Sequence, residues 1–450
     1  MNELSSFAVA DAASRAGRQL VARVCGRFGT VLDRTVEREV RRTVRAVARG
    51  GGAGERALLA AVARYDDVCV DDVAGLALGA TARDRRGDDL DGPLRDAIEL
   101  AIANVERFHR RQLEQRVAAP SDRIDGLRIE SLDRPLRRAG LYVPGGLASY
   151  PSTAIMTAVP ARVAGVAEIV VATPAATYRR SPALRHTLAR LGVEEIWGLG
   201  GAQAIAALAL GCGPIRRVDV VAGPGNAWVT AAKREVAGRV AIDGLMGPSE
   251  VVVVATPGAP ADWIAADLLA QAEHDGRASA ILVTTSRALA REVAASVEAR
   301  LAGLPTAGTA CESLAGYGGA LVVDSLAEAA ALVERLAPEH LQLVGHEAEA
   351  AAEWFETAGA IFVGADCPEV LGDYVAGPSH VLPTCGAARF ASGLSIATFR
   401  RTTHRLRVEP GEPASERAAA SARLAEAEGL PAHAAAARLR VGVPVAEVAS

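Results

Sequence analysis

The 450-residue chain has no C-x-x-C pair; its six cysteines, Cys25, Cys69, Cys212, Cys311, Cys367 and Cys385, stand singly. That excludes a cysteine-type zinc module and a disulfide scaffold, and it fits a reduced, cytoplasmic protein. There is no apolar run long enough to span a bilayer, so no membrane segment is expected. No charged segment followed by an apolar one opens the chain, so no secretory leader is expected. Arginine is concentrated early, but Glu and Asp are mixed with it, unlike the acid-poor composition of a transit peptide. An excess of one charge is also missing: the net charge is −4 with 23% charged residues, which gives no reason to expect nucleic acid or an anionic membrane as partner. Aromatic residues make up only 4%.

What the chain does have is apolar bulk. Half of its residues are hydrophobic, enough for two or three cored domains. Residues 8–65 read as helical, with a break at 50-GGGAG-54, and apolar spacing predicts another helix over 93–117. From residue 140 the texture changes. The runs GLYV, EIVVA, EEIWGLG and VDVVAG alternate with amphipathic stretches, and SEVVVVA, SAILVTT, GALVVDS, HLQLVG and AIFVG form a second such series. This alternation predicts parallel sheets with helices on their faces. The fold class expected is α/β, with two Rossmann-like parallel-sheet domains plus a helical N-terminal region and a small C-terminal helical tail. The borders expected are 1–135 for the N-terminal region, packing on the second α/β block, 136–248 and 249–385 for the two domains, and 386–450 for a linker and tail. No clear sequence repeat relates the two blocks.

Several constellations carry chemistry. The segments 144-PGG-146, 198-GLGG-201 and 223-GPGN-226 each follow an expected strand and precede a helix. None is a full G-x-G-x-x-G, but three at the carboxyl edge of one sheet suggest a phosphate-binding crevice. Gln271 and His274 share a helix face in QAEHD. By itself His274 reads as a residue favoured by the helix dipole. Glu339 and His340 put a carboxylate beside an imidazole, a pair suited to proton transfer near neutral pH. Asp373 and His380 lie in a polar loop with Gly377 and Pro378 between them, and loops at a sheet's carboxyl edge often carry function. His433, in 428-EGLPAH-433, reads alone as a solvated tail residue. Without paired cysteines, a His/Asp/Gln set is the metal site this chain could offer.

These motifs together resemble histidinol dehydrogenases. The likeness rests on RPLRRAGLYVPGG (134–146), GGAQAIAALA (200–209), GPGNAWVTAAK (223–233), GPSEV (247–251), QAEHD (271–275), APEHL (337–341), PEVLGDY (368–374), HVLPT (380–384) and EGLPAH (428–433). The resemblance implies a zinc- and NAD-dependent enzyme oxidising L-histidinol to L-histidine in two steps, the end of histidine biosynthesis. It implies one Zn²⁺ per subunit on Gln271, His274, Asp373 and His433, and a catalytic pair of Glu339 and His340. Substrate contacts are implied at Ser249, His380 and Glu428 besides those residues, and NAD contacts at Tyr142, Gln203 and Asn226. It also implies a homodimer with exchanged tails, in which Glu428 and His433 of one subunit complete the partner's site.

The chain departs from the family pattern at Leu147, where Thr is usual, and at Gly244 and Met246, where Ala is more usual than Met. Both stretches are expected near the ligand crevice and bear on substrate fit and cofactor affinity. Two other readings remain. One is a paralogous zinc/NAD dehydrogenase acting on another polar amino alcohol or hydroxy acid. The other is a catalytically silent, zinc-stabilised binding protein, against which the intact Glu339–His340 pair speaks. A His/Asp/Gln site also accepts manganese or cobalt.

Overall fold

The computed structural model describes residues 7–441, save 28, 30–31, 118–120, 125–126, 146–148 and 409–414. Leu147 and the last glycine of the 144–146 turn therefore lie outside the described residues. The chain divides into two units, Met1–Arg110 with Leu136–Phe399, and Arg111–Pro135 with Arg400–Ser450.

In chain order the strands are β1 (Val9–Asp11), β2 (Ala77–Leu78), β3 (Ser121–Ile124), β4 (Leu127–Pro135), β5 (Arg138–Tyr142), β6 (Glu168–Thr173), β7 (Glu195–Gly198), β8 (Val220–Ala222), β9 (Ala241–Ile242), β10 (Glu250–Ala255), β11 (Ser279–Thr284), β12 (Gly319–Val322), β13 (His340–Val344), β14 (Ala360–Val363) and β15 (Arg400–Val408). The first unit holds two six-stranded sheets, ordered β2-β7-β6-β5-β8-β9 and β1-β12-β11-β10-β13-β14. Pairing is parallel throughout, except that β2 runs antiparallel to β7. Each sheet grows the same way: a central strand, β5 or β10, then two strands to one side and two to the other, with an earlier strand, β2 or β1, added at the edge as the sixth. This is the doubly wound plan, repeated.

The central strands form because their residues are buried on both faces. Val251, Val253 and Val254 are inaccessible to solvent, as are Ile281, Leu282 and Val283. Such strands read as continuous β-branched runs rather than alternating ones.

The N-terminal region is shared between the sheets. Leu20, Val21 and Val24 of the helix Arg15–Cys25 pack with Val252, Ile281 and Leu321 of the second sheet. The helices Arg34–Val47 and Gly51–Tyr65 instead bury Val40, Val44, Leu58 and Val62 against the first sheet's layer, including Ala204 and Leu208. Residues 9–11, expected to be helical, form β1 at the edge of the second sheet. Three residues are too few to show a strand period.

The second unit contains an antiparallel sheet, β15-β4-β3, and the helices Ser415–Ala427 and Pro431–Arg438. The sequence reading expected only an Arg-rich linker where β15 pairs with β4 along its length. β15 is largely exposed, so no apolar alternation announces it. Its register is supported by charge instead: Arg405 meets Glu130 at 2.7 Å and Arg400 meets Asp133 at 2.8 Å.

Candidate active site

The structure places Glu339 and His340 at the amino edge of the second sheet. Glu339 ends the turn after the helix Leu326–Leu336, where Ala337 adopts a left-handed conformation (φ 46°), and His340 opens β13. β13 pairs with β10, which places both residues beside Ser249 and Glu250. The Ser249 hydroxyl donates to Glu339 Oε2 at 2.6 Å, and the Glu250 N–H donates to the same oxygen at 3.1 Å. His340 Nδ1 lies 3.2 Å from the Glu250 carbonyl oxygen. A carbonyl can only accept, so Nδ1 carries the proton and Nε2 keeps its lone pair. That Nε2 faces Asp373 Oδ1 at 3.7 Å.

Burial sets the electrostatics. Glu339 is pushed up to about 8, chiefly by loss of water and further by Asp373, against the two hydrogen bonds it accepts. Burial lowers His340, with the Asp373 charge opposing, so the imidazole is neutral near pH 7 and able to accept a proton. Beneath the pair, the fully buried Arg27 binds Glu250 at 2.6 Å. Burial still lifts Glu250 to about 7, with Arg27 pulling it down.

Gln271 lies on the helix Ala261–Ala272 and His274 just beyond it. His274 Nε2 lies 4.0 Å from Asp373 Oδ2. One carboxylate thus stands between His274 and His340. Gln271 is 1% exposed, and its Nε2 makes no hydrogen bond. A buried amide without a partner is costly unless something else satisfies it. A cation would not satisfy that N–H donor, and Gln271 could ligate only through its Oε1; an amide oxygen, an imidazole nitrogen and a carboxylate are donors a divalent cation takes, so these residues fit a metal as three of its ligands. Among the described residues no cluster of three or more His, Cys, Asp and Glu side chains closes such a site.

His380 joins this group through its Nδ1, 2.9 Å from the Asp373 carbonyl oxygen, and its Nε2 lies 3.4 Å from Thr153 Oγ1. Gly377 (φ +118°) makes the turn that brings the loop back. The loop expected at the sheet's carboxyl edge therefore delivers Asp373 and His380 to the amino edge, because the helix Glu369–Tyr374 and this turn carry the chain back from β14. Glu428 and His433 belong to the second unit, where both are exposed.

A separate cleft of about 400 Å³ opens at the carboxyl edge of the first sheet. All three glycine-rich turns reach it, through Gly145, Gly200 and Asn226, and so do Tyr142 and Gln203. Asn226 caps the helix Ala227–Val236, accepting from the Trp228 and Val229 N–H groups. The Tyr142 hydroxyl accepts from the Gly201 N–H at 3.1 Å, and burial pushes its own ionisation to about 12.

The family model described as histidinol dehydrogenase matches residues 29–441. The chain belongs to the histidinol dehydrogenase family. Its relatives include the histidinol dehydrogenase of Nitrobacter winogradskyi, 44% identical over 405 residues, which covers 89% of this chain and 93% of that one. The Moorella thermoacetica histidinol dehydrogenase is 50% identical over 353 residues, covering 77% and 81%. Among solved structures, the histidinol dehydrogenase of Elizabethkingia anophelis superposes with a TM-score of 0.80 at 32% identity, over 90% of this chain and 91% of that one. Membership makes the chain an oxidoreductase.

Within this histidinol dehydrogenase frame, some site neighbours escape a reading of the sequence. Glu369 is 1% exposed, its Oε2 has no hydrogen-bond partner, and that oxygen lies 4.0 Å from His340 Nδ1. Burial holds it well above the usual carboxylate range. It stands inside the PEVLGDY motif, from which only Asp373 was singled out. Asp267 is lifted to about 6 by burial. Its place four residues before Gln271 on one helix face was a usable signal. The departures at 244 and 246 turn out to be linked. A Cβ at Gly244 would lie 2.7 Å from the Met246 Cε, so the small residue makes room for the large one. Met246 is buried, and its carbonyl accepts from Thr230 Oγ1 at 2.6 Å.

Proposed function

We propose that the chain is a histidinol dehydrogenase that oxidises L-histidinol through L-histidinal to L-histidine, the last step of histidine biosynthesis, with two NAD and one water. The observation that carries this reading is the position of Asp373. Its two oxygens lie 3.7 Å from His340 Nε2 and 4.0 Å from His274 Nε2, so the proton acceptor and the metal donors converge on one point.

His340 Nε2 takes the hydroxyl proton of the alcohol, its Nδ1–H being held by the Glu250 carbonyl. The carbon-bound hydrogen leaves as hydride. Glu339 then takes a proton from the water that attacks the aldehyde carbon, and a second hydride leaves. Ser249 and the Glu250 N–H fix the Glu339 carboxylate, so it is oriented before the water arrives. Tyr142, Gln203 and Asn226 would hold NAD along the first-sheet cleft, where it would supply the hydride acceptor for both oxidations.

One Zn²⁺ per subunit would be held by Gln271, His274, Asp373 and His433, and would supply orientation of the substrate, with no redox chemistry. The approach of His274 Nε2 to Asp373 Oδ2, 4.0 Å, supports this assignment. Ser249, His380 and Glu428 would complete the substrate contacts. We read the protein as a homodimer with shared sites. Support comes from the second unit, which exposes Leu406, Leu424, Leu430 and Leu439, apolar surface that a second copy would cover. Six free cysteines favour the cytoplasm.

The test is a panel of alcohols offered to zinc-loaded protein with NAD. L-histidinol should give the highest kcat/KM. A higher value with another amino alcohol or hydroxy acid would move the assignment to a paralogous dehydrogenase, and no NADH with any of them would sink it.

A further inference from the structure

The cleft on the first sheet has a wall that the sheet does not supply. Asp66 follows the helix Gly51–Tyr65 and lines the cleft, although it comes from the N-terminal region. Its Oδ2 accepts from the Gly200 N–H at 3.1 Å and from the Gln203 amide at 2.9 Å. Its Oδ1 accepts no hydrogen bond from the described residues. A Cβ at position 200 would lie 2.3 Å from that Oδ1, so glycine there is what lets the carboxylate approach the turn.

Beside it, the Tyr65 and Trp228 rings stand with centroids 6.2 Å apart, tilted by 36°, and both line the cleft. The Tyr65 hydroxyl is held by Glu39 at 2.5 Å. Gly200 follows β7, the third strand of the winding that begins at β5. In such sheets the dinucleotide crosses at the switch point beside the first strand, and the ribose-binding acid lies on the flank of the strands that follow. Asp66 occupies that flank.

We propose that Asp66 is the residue that makes this cleft choose NAD over NADP: its free oxygen takes the adenosine ribose hydroxyls and rejects a 2′-phosphate, while Tyr65 and Trp228 face the purine. The choice of cofactor then lies with the N-terminal helices rather than with the Rossmann sheet. The inference rests on the reading of this cleft as the NAD site. The chemistry is simple. A carboxylate oxygen with open lone pairs accepts from a hydroxyl, whereas a phosphate in the same place meets a like charge at close range. Arg180 lines the same cleft and is the group a 2′-phosphate would seek, so it enters the test.

The experiment is calorimetric titration of the full-length, zinc-loaded protein with NAD and with NADP, for the wild type and for D66N, D66S, R180A and W228A. Turnover with each dinucleotide is measured alongside. The wild type should prefer NAD by about tenfold or more, and D66N and D66S should each shrink that preference by about tenfold, through weaker NAD and relatively stronger NADP binding. Two Asp66 variants are used so that one misfolded protein does not decide the matter. Equal weakening of both dinucleotides by D66N and D66S would overturn the proposal and leave Asp66 as a prop for Gln203. Loss of discrimination in R180A with none in the Asp66 variants would overturn it as well. If NAD binding is unchanged in D66N, D66S and W228A alike, the cleft itself has been misassigned, and the reading beneath the proposal fails with it.

Discussion

Replacing Glu339 with glutamine should separate the two oxidations. The substitution keeps shape: a glutamine Oε1 can still accept the Ser249 hydroxyl, at 2.6 Å in the native site, and the Glu250 N–H, at 3.1 Å. The fold and the neighbouring His340 should therefore persist. What disappears is the ability to take a proton from water. General-base assistance contributes about 10²- to 10⁴-fold, or about 3–5 kcal/mol of barrier. The aldehyde stage should slow by that factor, and the alcohol stage by less than about tenfold. Stopped-flow measurement of NADH from L-histidinol and, separately, from L-histidinal reads the two stages.

The pH profile gives a second check. Only the ionised carboxylate accepts a proton, and burial pushes Glu339 up to about 8. The wild-type aldehyde rate should therefore rise with pH through that region, and this limb should be absent in E339Q. A cation that neutralises Asp373 would move the limb to lower pH, because the Asp373 charge is one of the causes that raise Glu339. Equal loss of both stages in E339Q, or an unchanged pH limb, would refute the assignment.

Other outcomes follow from the same geometry. Arg27→Met strands the Glu250 carboxylate in the interior and should cost about 3–5 kcal/mol, as for other broken buried pairs. Denaturant titration should show a lower midpoint at unchanged slope, with partial recovery in R27M/E250Q; a loss under about 1 kcal/mol would mean the pair anchors nothing. His433→Ala and His340→Ala, each inactive alone, should regain activity when mixed and allowed to exchange subunits. No recovery despite exchange shown by mass spectrometry would refute a shared site. Chelation should abolish turnover, and Gln271→Ala should weaken zinc retention measured by a colorimetric indicator; full zinc content in that variant would remove Gln271 from the ligand set.

Much of this architecture was legible because burial writes itself into sequence. β10 and β11 are covered on both faces, so they appear as unbroken apolar runs. β15 could not be read in that way. It is stabilised by pairing with β4 and by Arg–carboxylate contacts across the strands, and neither leaves an apolar period. The site shows the same division. Gln271 and His274 stand three apart, a spacing that suggests one helix face although the helix ends at Ala272 and leaves His274 just beyond it, and Glu339 and His340 are adjacent, so local spacing exposed them. Asp66 reaches Gly200 and Gln203, more than a hundred residues away, and nothing at position 66 signals it. Glu369 carries no local signal of its role, and only packing shows it buried beside His340. The edge on which the site is built was also hidden. Asp373 follows a strand's carboxyl end, but the helix Glu369–Tyr374 carries it back to the opposite edge, 3.7 Å from His340 Nε2.

The measurement that bears most directly on the account is the number of NADH formed per L-histidinol consumed at completion, with zinc present. A value of about two is expected, one for each hydride carried to NAD. A value of about one, with free L-histidinal accumulating, would contradict the claim that His340 and Glu339 complete both oxidations in this site.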